Sequence, residues 1–168
     1  MDREPWHDHR WQQRTRALLD SFRYWLGRDL IARSGNDAED ARLLFEAPFV
    51  VLAHGTQADP ILDYLNRAAL ELFELELPAA LRMPSRMTAE PQQQAERARM
   101  LQQAAERGFV DDYQGIRKTA TGRRFRIRRA VVWNVVDAAG RPAGQAATFD
   151  SWQWLDQAAE QSADESSA

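Results

Sequence analysis

Apolar positions recur at three- and four-residue spacings in the first part of the chain. From Trp6 to Ala32, Leu18, Leu19, Phe22, Trp25, Leu26 and Leu30 form one stripe, and Arg14, Arg16, Arg23 and Arg28 fall mostly off it. This predicts a long amphipathic helix. Ser34-Gly35-Asn36-Asp37 stops it, with Gly35 as a C-terminal cap. A second, short helix over residues 37–46 carries Leu43, Leu44 and Phe45 and ends ahead of Pro48. The pattern then changes. Phe49 to His54 is an apolar run bounded by Gly55 and a polar turn, and reads as a strand, with Ile61 to Leu65 as a second. Asn66 stands at the N-cap position of a helix carrying Ala68, Ala69, Leu70, Leu72 and Phe73. Pro78 and Pro84 break the next stretch into turns. Residues 90–108, rich in Gln, Ala, Glu, Arg, Met and Leu, predict a helix closed by Gly108. Three strands follow, Phe109 to Lys118, Arg123 to Val136 and Ala143 to Trp154, joined by turns at 119–122 and 139–142.

That order predicts an α+β fold. A five-stranded antiparallel sheet carries the middle helices on one face and the N-terminal helix on the other. The expected organisation is an N-terminal helical extension over 1–46, a domain over 47–155 and a disordered tail over 156–168, which is rich in Ser, Ala, Glu and Asp.

Composition narrows the function classes. The chain has 168 residues, 44% hydrophobic and 28% charged, enough for one domain with a proper core. A formal net charge of −3 gives no global basic field for nucleic acid or an anionic membrane. Cysteine is absent, which excludes disulfides, thiolate metal sites, a cysteine nucleophile and flavin–cysteine photochemistry. No apolar run approaches the roughly 20 residues of a membrane helix. The first five residues lack an apolar signal core, so a cytoplasmic location is expected.

Several segments in one order resemble a known family. They are Pro48-Phe49-Val50-Val51-Leu52, the segment Tyr64 to Phe73, Met83-Pro84-Ser85-Arg86, and the stretch from Arg107 to Arg117. Gly122 to Ile127, Val132-Trp133-Asn134 and Gly144 to Phe149 complete the set. Together they resemble the MEKHLA domain family, a relative of the PAS superfamily, over about Ala47 to Trp152. The chain looks like a stand-alone bacterial-type member. The family also occurs at the C-terminus of plant class III homeodomain-leucine-zipper transcription factors, but neither a homeodomain nor a zipper is present here, so that role is not carried over. The resemblance implies a PAS-like sensory domain with a ligand pocket between the sheet and the middle helices. It implies a small-molecule ligand, such as a non-covalent heterocycle of the flavin type.

The residues themselves offer candidates. Tyr64, Phe73, Tyr113, Phe125 and Trp133 are candidate pocket walls, against the plainer reading of a filled core. The resemblance also implies that the strand amides Asn134 and Gln145 hydrogen-bond a ligand in that pocket. Between residues 117 and 129 lie seven cations and no acid. Strand alternation puts Arg124, Arg126 and Arg128 opposite Phe125, Ile127, Val131, Trp133 and Val135, which reads as a solvated or helix-covered face paired with acids such as Asp111 and Asp112. Aromatic residues do not interleave there, which argues against nucleic acid. Arg129 has the parity of the apolar set. With Arg117 it could hold a carboxylate or phosphate, unless an acid pairs with it in the core. Asn66 reads as a helix cap. His7 and His9 read as solvated. No histidine follows His54, so haem held by a histidine of the middle helices is not expected.

No nucleophile motif, phosphate loop or metal cluster points to catalysis. The expectation is a non-enzymatic sensor that signals through a homodimer formed by the N-terminal helix, or through a separate protein partner. Phe22, Trp25 and Leu26 would supply the dimer patch. A ligand-free protein–protein adaptor is the alternative. A small cavity enzyme with His54 as its acid or base is a third reading.

Overall fold

A computed structural model describes residues 4–155, and the expected disordered tail over 156–168 lies outside the described residues. Helix α1 (His9–Leu26) starts at Asp8, whose side chain accepts from the Arg10 amide, and ends at Gly27 rather than at the expected Ala32. Helix α2 (Asp37–Phe45) is capped by Asn36 and carries Asp37, Glu39 and Asp40 in its first turn, where negative charge suits the helix dipole. Strands β1 (Val50–His54) and β2 (Leu62–Leu65) follow close to expectation. Next come α3 (Arg67–Phe73), a short α4 (Leu77–Ala80), a single 3₁₀ turn (Ser85–Thr88) and α5 (Pro91–Arg107).

The last part of the chain is the strand meander. Strands β3 (Phe109–Lys118), β4 (Arg124–Val136) and β5 (Pro142–Phe149) are antiparallel neighbours. The expected third strand is split at Asp150. Its second piece, β6 (Ser151–Leu155), pairs with the beginning of β4, while β5 pairs with the end of β4 and with β1. The sheet order is β2-β1-β5-β4-β3, with β6 continuing the β5 position.

Asn66 does more than cap α3. Its Oδ1 accepts from the Ala69 and Val51 amides, and its Nδ2 donates to the carbonyls of Leu44 and Phe49. One fully buried amide side chain thus joins α2, β1 and α3.

The two faces of the sheet bury different clusters. On one face, Leu18, Leu19 and Phe22 of α1 and Leu44 of α2 pack on Val51, Tyr64, Trp133 and Val135. On the other, Leu72 and Phe73 of α3 and Ala80 of α4 pack on Val50, Leu62, Phe125, Ile127 and Phe149. Met100 and Ala104 of α5 pack on Val132 of the same face. Ala104 lets α5 approach closely. Gly108 then ends α5 at φ +97°, and a Cβ there would lie 2.3 Å from the Trp25 ring.

Two bulges decide which residues share a face: one in β3, where Asp112 has φ +54°, and one in β4. The β3–β4 register passes from Tyr113 opposite Ala130 to Gly115 opposite Ile127, so β4 spends one residue more than β3. Arg129 sits in this bulge with φ +51°. The extra residue inverts side-chain alternation beyond it. Phe125 and Ile127 therefore face α3 to α5, as do Ala130 and Val132, whereas Val131, Trp133 and Val135 face α1. The single parity expected across 125–135 does not hold.

Candidate functional site

Between the sheet and the middle helices lies a cavity of about 60 Å³. Leu52 and His54 of β1, Gln145 and Ala147 of β5, and Ile127, Ala130 and Val132 of β4 form its floor. Met100, Leu101 and Arg97 of α5 cover it, Ser85 and Thr88 come from the 3₁₀ turn, and Tyr113 and Arg117 from β3. Phe73 closes the α3 side.

Local sequence sets each of these positions. The 3₁₀ turn is tied to the sheet by Leu62 N donating to Met83 O and Ser85 N donating to Pro60 O, which holds Ser85 beside the start of β2. Arg97, Met100, Leu101 and Ala104 lie three or four residues apart and share the buried face of α5. Gly144 brings β5 against the end of β1, because a Cβ at that position would meet the His54 carbonyl oxygen at 1.9 Å.

The polar groups of the cavity are organised. Arg117 is only 6% exposed. Its guanidinium donates to Ile116 O at 2.9 Å and to the Tyr113 hydroxyl at 3.1 Å, and it lies 5.6 Å from the Tyr113 ring centre. The Tyr113 hydroxyl donates onward to Glu96 at 2.8 Å. Arg97 donates to the Ser85 hydroxyl at 2.8 Å. Among the described residues neither arginine forms an ion pair with a carboxylate. Burial lowers the Arg97 guanidinium to about 10, and the Arg117 charge adds to the effect. Burial also lowers His54 to about 4, with the Arg97 charge next in importance, so His54 is neutral at pH 7. The His54 ring hydrogen-bonds the Gln145 side chain. The Gln145 amide donates in turn to Leu101 O at 2.9 Å and to Asn134 Oδ1 at 3.2 Å.

Of the sequence candidates, the fold brings Phe73, Tyr113, Arg117 and Gln145 to the cavity wall. Phe125 stands directly behind, edge-on to Phe73 with ring centres 5.3 Å apart. Asn134 holds Gln145 and the Ala105 carbonyl at the rim without lining the cavity. Three candidates are elsewhere. Trp133 lies on the α1 face, edge-on to Phe22, with its indole N–H donating to Leu18 O, because the bulge reverses its side. Tyr64 lies on the same α1 face, stacked on Trp11 with centroids 4.6 Å apart. Arg129 is exposed at the bulge and has no place beside Arg117. The basic strand pairs with Glu74 and Glu90, through Arg123 and Arg124, rather than with Asp111 and Asp112. Arg97, Ser85 and Thr88 were not anticipated. The spacing of Arg97 from Met100 and Leu101 is the signal that could have placed it on the buried face of α5.

The expected dimer stripe is largely used within the chain. Phe22 is wholly buried, and the Trp25 indole donates to Asn134 O at 2.9 Å. Tyr24, 76% exposed, is the large side chain that α1 leaves to solvent. No helix among the described residues is long and apolar enough to cross a membrane. No group of three or more metal-ligating side chains occurs among the described residues.

Comparison with known proteins gives the fold and its kin. The MEKHLA domain family model matches residues 12–154, and so takes in α1 and α2 as well as the sheet. The homeobox-leucine zipper protein HOX10 of rice, Oryza sativa subsp. indica, is 25% identical over 143 residues. That match covers 84% of this chain and 17% of the rice protein, so the chain spans about a sixth of that relative's length. The PAS domain of a Colwellia psychrerythraea protein superposes with a TM-score of 0.58 at 13% identity, covering 70% of this chain and 94% of that one. A light-oxygen-voltage domain studied with a flavin analogue gives a TM-score of 0.53 at 14% identity, covering 78% of this chain and 96% of that one. The fold is that of the PAS domains.

Proposed function

This chain belongs to the MEKHLA domain family, and we propose that it acts as a PAS-type sensory domain. It takes a small molecule between the sheet and helices α3 to α5, and passes the change to a protein partner through α1. The observation that carries this reading is the cavity itself. It is lined by apolar side chains and by a few convergent polar ones, His54, Ser85, Arg97, Arg117 and Gln145, as ligand sites are.

A hydrogen-bonded route to α1 supports the output half. Gln145 on the cavity wall holds Asn134, the Asn134 amide donates to Gly108 O, and the Asn134 carbonyl accepts from Trp25 of α1. A ligand that draws Gln145 away from Asn134 disturbs the support of Trp25. The exposed side of α1 around Tyr24 is then the surface for a second copy or another protein.

A flavin does not fit these residues. Ligand sites of that class run to about 300–1,000 Å³, several times the volume here. The one strand amide on the wall, Gln145, already has its amide hydrogens and its His54 contact in use. His54 is also a poor general base, since burial and Arg97 hold it near 4. A second reading, the ligand-free adaptor, is favoured by the same small volume.

Methyl NMR of the Met100 side chain during a small-molecule screen separates the two readings. A sensor shows saturable shifts at Met100 with at least one compound, accompanied by a change at the Trp25 indole N–H. An adaptor shows neither with any compound, and that result would sink the sensory reading.

A further inference from the structure

We infer that the cavity is an anion site for a short-chain carboxylate, gripped by Arg97 and Arg117 with its alkyl part against Met100, Ile127 and Val132. This rests on the sensory reading above and names the ligand class of that same site.

Charge is the first argument. Two guanidinium groups line one cavity, and among the described residues neither has a carboxylate in ion-pair contact. Buried charges are ordinarily paired, because desolvation without a counter-charge is costly. Asp59 supports the Arg97 charge only from outside ion-pair distance, and Glu96 reaches Arg117 only at one remove, through the Tyr113 hydroxyl. Each guanidinium carries five donors. Arg117 directs two of its bonds to Ile116 O and Tyr113, and Arg97 directs one to Ser85, so donors remain on both. A neighbouring cation opposes the charge of His54 as well as that of Arg97. An anion between the two arginines offsets both guanidinium charges.

Size and wall chemistry select the anion. At about 10–15 Å³ per water-sized group, the cavity holds about four to six non-hydrogen atoms. That matches a carboxylate with one to three further carbons. Inorganic phosphate matches the charge but leaves the apolar wall of Met100, Ile127 and Val132 against a polar ion. A carboxylate with a short alkyl tail satisfies both sides, and the planar guanidinium suits its two oxygens.

The test titrates the full chain with sodium propionate, propionamide, and sodium phosphate at matched ionic strength, reading the Met100 methyl and the melting temperature. Propionate is expected to shift both in a saturable way and propionamide to do neither. Arg97→Gln and Arg117→Met are each expected to weaken propionate binding at least tenfold. Arg117→Met is also expected to melt higher than the parent without ligand, since it removes a buried charge that has no carboxylate in contact. A merely structural arginine gives the opposite sign. If Arg117→Met does not fold, Arg97→Gln alone decides. Equal binding of propionamide, or tighter binding of phosphate, overturns the carboxylate assignment and leaves the sensory reading in place. Silence at Met100 with every compound overturns both.

Discussion

The two faces of one sheet have been finished in different ways. Under α1 the interface is aromatic and closely packed: Trp11 stacks on Tyr64, Phe22 meets Trp133 edge-on, and the Trp133 indole N–H reaches a backbone carbonyl, while the Trp11 indole N–H is buried without a partner among the described residues. Under α5 the interface keeps a void, a neutral histidine and two arginines. A filled aromatic face contributes stability by burial and close packing. A face with a cavity, one buried cation and one half-buried cation gives up some of both. The contrast suits the first face to holding the fold and the second to the ligand exchange proposed above.

The sharpest way to break the contrast is to cut into the aromatic face. Trp133→Ala is expected to cost about 3–5 kcal/mol in urea unfolding, while propionate affinity of the folded protein stays within about twofold. A comparable loss of ligand affinity would mean that the faces are not separate.

The cavity face shows its burial penalty through pH. His54 is held near 4 against an ordinary 6.5, with burial as the main cause. The unfolded chain therefore binds a proton that the folded chain resists between those values. Stability is complete above about pH 6.5 and declines as pH falls toward 4, by at most about 3 kcal/mol. Urea midpoints from pH 7.5 to 4.5 should show this slope, and His54→Gln should flatten it.

Enlarging side chains should act with opposite sign on the two faces. Val135→Leu overpacks the α1 side and is expected to cost about 1–3 kcal/mol. Ala130→Val fills part of the cavity and is expected to be neutral or stabilising by up to about 1 kcal/mol. It should also weaken propionate by occupying its space. Equal destabilisation by both would mean that the void has no spare room.

The smallest effect sharpens the link between the faces. Trp25→Phe removes the bond to Asn134 O and should cost about 1 kcal/mol. It should leave ligand affinity near that of the parent and abolish the ligand-dependent change in partner or self-association, followed by sedimentation. If the association still responds to ligand, the route through Asn134 is wrong.

Much of this architecture was legible in the residues. Local signals set the α3 cap at Asn66, the end of α5 at Gly108 and the strands of the meander, because capping, glycine and period-two alternation act over a few positions. Phe73, Tyr113, Arg117 and Gln145, expected at the pocket from their residue types and the family resemblance, reach the cavity wall. Trp133 and Tyr64 were assigned to the wrong face, and Arg129 to the wrong role. Strand parity carries a side-chain assignment only until the register slips, and nothing in Arg128-Arg129-Ala130 announces a bulge.

By itself, then, the sequence determined the class of fold, its element order and the absence of cysteine chemistry, since these follow from periodicity and composition. The tertiary structure alone decided which side of the sheet each strand residue serves and where β5 gives way to β6. It also brought Arg97 of α5 beside Arg117 of β3, twenty residues on. Those outcomes depend on the bulges of β3 and β4 and on helix-to-sheet packing, which join residues distant in the chain.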